Sequence, residues 1–171
     1  MINVSDLVAR KAIEYYSQFG ATKRSDILHT QEVVSYTRLI SVGEKLSEEA
    51  VVMQETAAWL HDIGCPRSRE EFGNSLPVNQ QNAGRIVTNE LLKDVDLLTD
   101  EQKSWLEDVV GTHHQYPSAE ELGFLPLFEA DLIVNLLSGY MPIENAEHYY
   151  KTLMKTATGK ALFKLVVMET V

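Results

Sequence analysis

Thr56-Ala57-Ala58-Trp59-Leu60-His61-Asp62-Ile63-Gly64 is the stretch on which the reading of this chain turns. Small and apolar residues run, at helical density, into an adjacent imidazole and carboxylate. A glycine follows and, two residues on, Pro66. Polar groups at the buried end of a helix are costly unless something satisfies them. A metal ion would satisfy both His61 and Asp62. The rest of the chain supplies further donors of the same kind: His29 upstream, the pair His113-His114 downstream, and Asp131 beyond. The sequence reads as helices arranged to bring these places together.

Working outward, the helix that delivers His61 and Asp62 starts at Ser47, a good cap, with Glu48-Glu49 in its first turn. It is apolar through Val51, Val52, Met53, Ala57, Ala58 and Leu60, so it is expected to be buried on most sides. Upstream, Val4, Leu7, Val8, Ala12, Tyr15 and Phe19 recur at helical steps over residues 3 to 19, and Gly20 stops them. A short link, Ala21 to Arg24, leads to a second helix capped by Ser25 or Asp26, with His29 in its first turn. Downstream, Cys65 to Val78 contains Pro66, Gly73 and Pro77 and reads as an irregular loop, of a length often functional. Residues 79 to 93 read as helix again. Thr99 or Asp100 caps the next, which carries Trp105, Leu106, Val109 and Val110 to Gly111, just before His113-His114. Residues 123 to 138 form a strongly apolar helix bearing Asp131, and two helical stretches, 144 to 156 and 159 to 169, end the chain. Thr158-Gly159-Lys160 reads as a helix start and not as a phosphate loop, since no strand leads into it.

Alternation with period two is scarce, so the expected class is all-α, a bundle of about six to eight helices in one domain over residues 1 to 171. The two C-terminal helices complete its core or form a homodimer face. The length allows a substantial core, and 44% hydrophobic with 23% charged residues is ordinary for a globular protein. A formal charge of -10 argues against a nucleic-acid polymer or an anionic membrane as partner, but not against a small phosphorylated substrate. The single cysteine, Cys65, precludes an internal disulfide and fits a reducing compartment. No apolar run approaches the roughly 20 residues that span a bilayer, and Met1 to Arg10 is not a secretory signal. The expected location is cytoplasmic.

His29, His61-Asp62 and Asp131, in that order on an all-helical chain, resemble the signature of the HD-domain superfamily of metal-dependent phosphohydrolases. His61-Asp62-Ile63-Gly64 has a form common in that family. Ala57-Ala58-Trp59-Leu60 before it, His113-His114 after an apolar helix, and Glu129-Ala130-Asp131-Leu132-Ile133 agree with it. The resemblance covers roughly residues 25 to 140. It implies that His29, His61, Asp62 and Asp131 hold one divalent transition metal (Mn, Fe, Co, Ni or Zn, with Mg possible). It implies hydrolysis of a small phosphate ester or nucleotide, with a metal-activated water attacking phosphorus. Asp62, His113 and His114 are then the catalytic set, the histidines binding the phosphoryl group or protonating the leaving oxygen.

Family members with two metals bridge them at the position of Asp62 and use the histidine pair for the second. They also carry a histidine on the helix after the loop. Here that place matches Asn79, so one metal is expected, with a second site weak or absent. Arg67, Arg69, Lys23 and Arg24 are candidates for the substrate phosphate by nearness in sequence. Two other functions fit the same residues: a nucleotide-binding regulatory module without turnover, and oxygenase chemistry at a di-iron centre.

Overall fold

The computed structural model describes residues 3–20 and 22–169; Ala21, placed above in a link, lies outside them. In chain order the helices are α1 (Val4–Tyr16), α2 (Lys23–Gly43), α3 (Glu48–Leu60), α4 (Cys65–Phe72), α5 (Pro77–Leu92), α6 (Asp100–Thr112), α7 (Tyr116–Glu121), α8 (Leu125–Leu137), α9 (Ala146–Thr152) and α10 (Ala157–Phe163). A 3-10 turn, Ile143–Asn145, precedes α9, and a π-helical turn, Lys164–Met168, continues α10. No strand occurs among the described residues. The all-α expectation holds, and the bundle proper is made by the longer helices α1 to α6 and α8.

The apolar patterns explain the layout. α3 buries Val51, Ala57, Ala58 and Leu60 around its circumference, because α1, α2, α6 and α8 all pack against it. Small residues at 57 and 58 let those neighbours approach. α8 is buried in the same way, with Leu127, Ala130, Ile133 and Val134 inside, and it lies along α2. Each large apolar side chain buried there stabilises the fold by about 1.5–3 kcal/mol. One cluster of buried apolar residues runs from Val8 in α1 to Val167 in the last turn. Met154, Phe163 and Val167 belong to it, so the C-terminal helices complete the core. No helix among the described residues is long and apolar enough to cross a membrane.

Capping residues act as read at Ser47, whose side chain accepts from the Ala50 amide, and at Thr99, which forms a full capping box with Gln102. Two readings need correction. The expected loop from Cys65 to Val78 is mostly helix. Pro66 lies in the first turn of α4, where its missing N–H costs nothing, and Gly73, at φ 71°, closes that helix. Pro77 opens α5 in the same way. The prolines and the glycine mark helix ends there; the irregular part is only residues 73 to 76. α2 begins before its expected cap. The Asp26 amide donates to the Thr22 carbonyl at 3.0 Å, so Ser25 and Asp26 lie inside the first turn and His29 sits one turn further in.

A buried carboxylate ties α8 to the C-terminal region. Glu129 is fully buried and accepts from the backbone amides of Lys155 and Thr156 and from the Thr156 hydroxyl. Gly159 leaves room for it, since a Cβ there would collide with the carboxylate. Glu129→Ala orphans these donors and is expected to cost about 3 kcal/mol. That corresponds to a melting temperature lower by roughly 6–12 °C. A drop under about 2 °C in thermal unfolding would show that water replaces the carboxylate without loss.

Candidate metal centre

His61 and His113 each occupy the C-cap position of an apolar helix, α3 and α6. The last carbonyls of a helix lack intrahelical partners. Each histidine uses one of them: Nδ1 of His61 lies 2.7 Å from the Ala58 carbonyl, and Nδ1 of His113 lies 2.8 Å from that of Val110. A carbonyl only accepts, so both rings carry a proton on Nδ1. Their Nε2 atoms are turned toward the site. His29 comes from α2, Asp62 from the turn after α3, and Asp131 from α8, where the Asn135 side chain donates to its Oδ1 at 2.9 Å.

Four of these donors converge. His29 Nε2 lies 3.3 Å from His61 Nε2, 3.4 Å from Asp62 Oδ2 and 3.2 Å from Asp131 Oδ1. His61 Nε2 lies 3.5 Å and 3.6 Å from the same two oxygens. Donors bound about 2.1 Å from one first-row ion stand roughly 3–3.4 Å apart, so the set fits a transition-metal cation. His29, His61 and Asp131 form one group that could hold an ion, with Asp62 beside it.

The electrostatics point the same way. Burial pushes the His61 imidazolium down, but the Asp62 and Asp131 carboxylates outweigh it and carry the group to about 9. Burial raises Asp62, but His61 and His113 hold it well below the usual carboxylate range. Asp131 is held low as well, by His29 and His61 against its own burial. The cluster thus favours positive charge, which a proton supplies when no metal does.

The sign of the resulting pH dependence follows. In metal-free protein, the His61 contribution is complete below its unfolded value of 6.5 and is lost as pH rises toward about 9. The carboxylate contribution is complete above the unfolded value of 3.8 and is lost as pH falls below it. Chelator-treated protein is therefore expected to melt at falling temperature from pH 6.5 to 9, and saturating metal is expected to flatten that slope. An unchanged slope on metal addition would count against metal binding at these residues.

Asp62 has a second face. Its Oδ1 lies 3.4 Å from His113 Nε2, and both atoms are buried without a hydrogen-bond partner. Asp62, His113 and His114 form a second group that could hold an ion. His114, however, is engaged. Its Nε2 lies 2.7 Å from Gln80 Nε2, while the Cys65 thiol donates to Gln80 Oε1 at 3.0 Å. Burial and the Asp62 carboxylate push the thiol up, so it stays a donor and orients the amide. His114 keeps an exposed edge; desolvation of its inner face, then the charge of His113, brings it down to about 4.

The residue facing the histidine pair is therefore Gln80, not Asn79, whose side chain bonds Asn74 at 3.0 Å. With α5 starting at Pro77, its inward side is Gln80, Gln81, Ala83, Gly84 and Val87. The helical spacing from Gln80 to Ala83, Gly84 and Val87 was the available signal.

A cavity of about 420 Å³ opens over His29, Asp62 and His114. Of the four cations expected near the phosphate, Arg69 lines it. Arg67 does not; it pairs with Glu71 at 2.7 Å and Glu90 at 3.6 Å. Lys23 and Arg24 are exposed at the start of α2 and do not line it either. Asp26, Asn135 and Tyr140 line the cavity and were not expected there. Asn135 stands four residues after Asp131, one turn along the same helix face, which the sequence does display. Cys65 lines the cavity as a buried, protonated thiol. No family model, curated protein or solved structure matches the chain.

Proposed function

We propose that this chain is a metal-dependent phosphohydrolase of the HD-domain type, acting on a small phosphate ester or nucleotide. The observation that carries the reading is that the Nε2 atoms of His29 and His61 each stand 3.2 to 3.6 Å from oxygens of Asp62 and Asp131, beneath a cavity of small-substrate size. These residues would hold a divalent transition metal, which supplies Lewis acidity and activation of a water molecule.

The remaining steps belong to the chain. Water oxygen bonds to phosphorus, the P–O ester bond breaks, and a proton from the water ends on the leaving oxygen. His114 lines the cavity and accepts from the Gln80 amide at Nε2, which leaves Nδ1–H to donate to a phosphoryl oxygen. His114 is neutral at pH 7, with its pKa down at about 4, so this donor role is steady across the physiological range. His113 lies behind the cavity wall, and its Nε2, 3.4 Å from Asp62 Oδ1, would relay the proton by way of that carboxylate. Asn135 fixes the orientation of Asp131.

A second reading, a two-metal hydrolase, is favoured by the two unpartnered atoms His113 Nε2 and Asp62 Oδ1. Elemental analysis of metal per chain, with a panel of phosphomonoesters, phosphodiesters and nucleotides on the same samples, separates the cases. One ion with turnover is the expected result. Two ions with turnover would select the two-metal reading. Bound metal without turnover on any member of the panel would overturn the hydrolase reading in favour of a binding module.

A further inference from the structure

We infer that the Asp26–Arg69 pair keeps this cavity from favouring ligands with a second phosphoryl group over ligands with one on an uncharged body, an inference that rests on the phosphohydrolase reading above. Arg69 is the sole lysine or arginine among the described residues that line the cavity. A free guanidinium there would be a fork for a second phosphoryl group. It is not free. Its Nη2 donates to Asp26 Oδ2 and, at 3.2 Å, to Thr22 Oγ1. The side chains of Arg69 and Asp26 are 29% and 14% exposed, so the pair is largely shielded and separating it leaves a poorly solvated charge.

The charges then cancel in two places. Asp62 and Asp131 balance a divalent ion, and Asp26 balances Arg69. One phosphoryl group can sit at the metal. A second would extend toward a guanidinium whose charge is already met by a carboxylate. For the rest of the ligand the lining offers uncharged contacts: hydroxyls of Ser25, Ser75 and Tyr140, the Asn135 amide, and the apolar Pro77 and Met141.

The test is calorimetric titration of metal-loaded protein with inorganic orthophosphate and pyrophosphate at fixed free metal, with the hydrolysis panel run on the same samples. Wild type is expected to bind the two within about threefold of each other. Asp26→Asn frees the guanidinium. It is expected to tighten pyrophosphate on the order of tenfold while moving orthophosphate by under about twofold. Adding Arg69→Gln to that variant is expected to remove the gain. Should Asp26→Asn not fold, Asp26→Ser gives the same comparison.

Equal changes for both anions would mean that the pair only ties α2 to α4, and would overturn the inference. So would a wild type that prefers pyrophosphate, or one that binds neither anion. Selective tightening without turnover on any ester would leave the inference standing and overturn the hydrolase reading. Turnover without selective tightening would do the reverse.

Discussion

Asp62→Ala is expected to remove metal and activity together. Asp62 is the one residue that faces both donor groups, with Oδ2 3.4 Å from His29 and 3.5 Å from His61, and Oδ1 3.4 Å from His113. Losing an outer hydrogen-bond partner of a metal ligand costs about 10–100-fold in affinity. Losing the ligand itself is expected to cost at least about 100-fold, and turnover of any phosphate ester is expected to fall to background. Asn135→Ala is the graded comparison, because it removes only the bond that orients Asp131. It is expected to weaken metal about tenfold with the fold intact. Equilibrium dialysis with elemental analysis reads both variants. Asp62→Ala protein that binds as much metal as wild type would sink the assignment of these ligands.

Gly64→Ala is expected to be the most damaging single change at the level of the fold. Gly64 forms the corner between α3 and α4, and that corner touches the backbone of α5. A Cβ there would collide with the Gln80 carbonyl oxygen and the Gly84 nitrogen and lie 2.7 Å from the Gly84 Cα. Backbone cannot yield as a flexible side chain can. Overpacking in a filled core costs about 1–3 kcal/mol and more where backbone must move, so a loss of at least about 3 kcal/mol is expected. The melting temperature should fall by at least roughly 6–12 °C.

Because the corner immediately follows Asp62 and rests on Gln80, metal affinity should fall with it. Gly20→Ala is the control: a Cβ there meets nothing within 4 Å, so its effect should stay within about 0.5 kcal/mol. Similar melting temperatures for the two variants would mean that the α3–α4 corner relaxes freely.

The fold class was legible because it rests on periodicity. α3 and α8 are apolar on most sides and are buried on most sides. The residues that could hold a metal were legible because imidazoles and carboxylates at the ends of such helices have few other ways to be satisfied. The cations were not. Arg67 and Arg69 stand two apart in one short helix, yet one pairs outward with Glu71 and Glu90 and the other lines the cavity. That choice depends on Asp26, 43 positions earlier, and no local pattern encodes it. The segment from Cys65 to Phe72 was misread for a different reason. Proline and glycine were taken as breakers throughout, whereas at the first turn and just past the last they delimit a helix. Asn79 was expected to face the histidine pair, but the register of α5 turns it to Asn74 and brings Gln80 to His114.

The carbonyls that hold Nδ1 of His61 and His113 belong to the same helices as the rings they hold. Both imidazoles are thus aimed as soon as α3 and α6 have formed, whichever ion is at hand and whether or not one has arrived. Were a divalent ion bound here, neither ring would have to turn to receive it, and its release would leave both rings aimed. Such a centre would be open to emptying and refilling in the folded state, and the ion it held would follow from supply as much as from the chain.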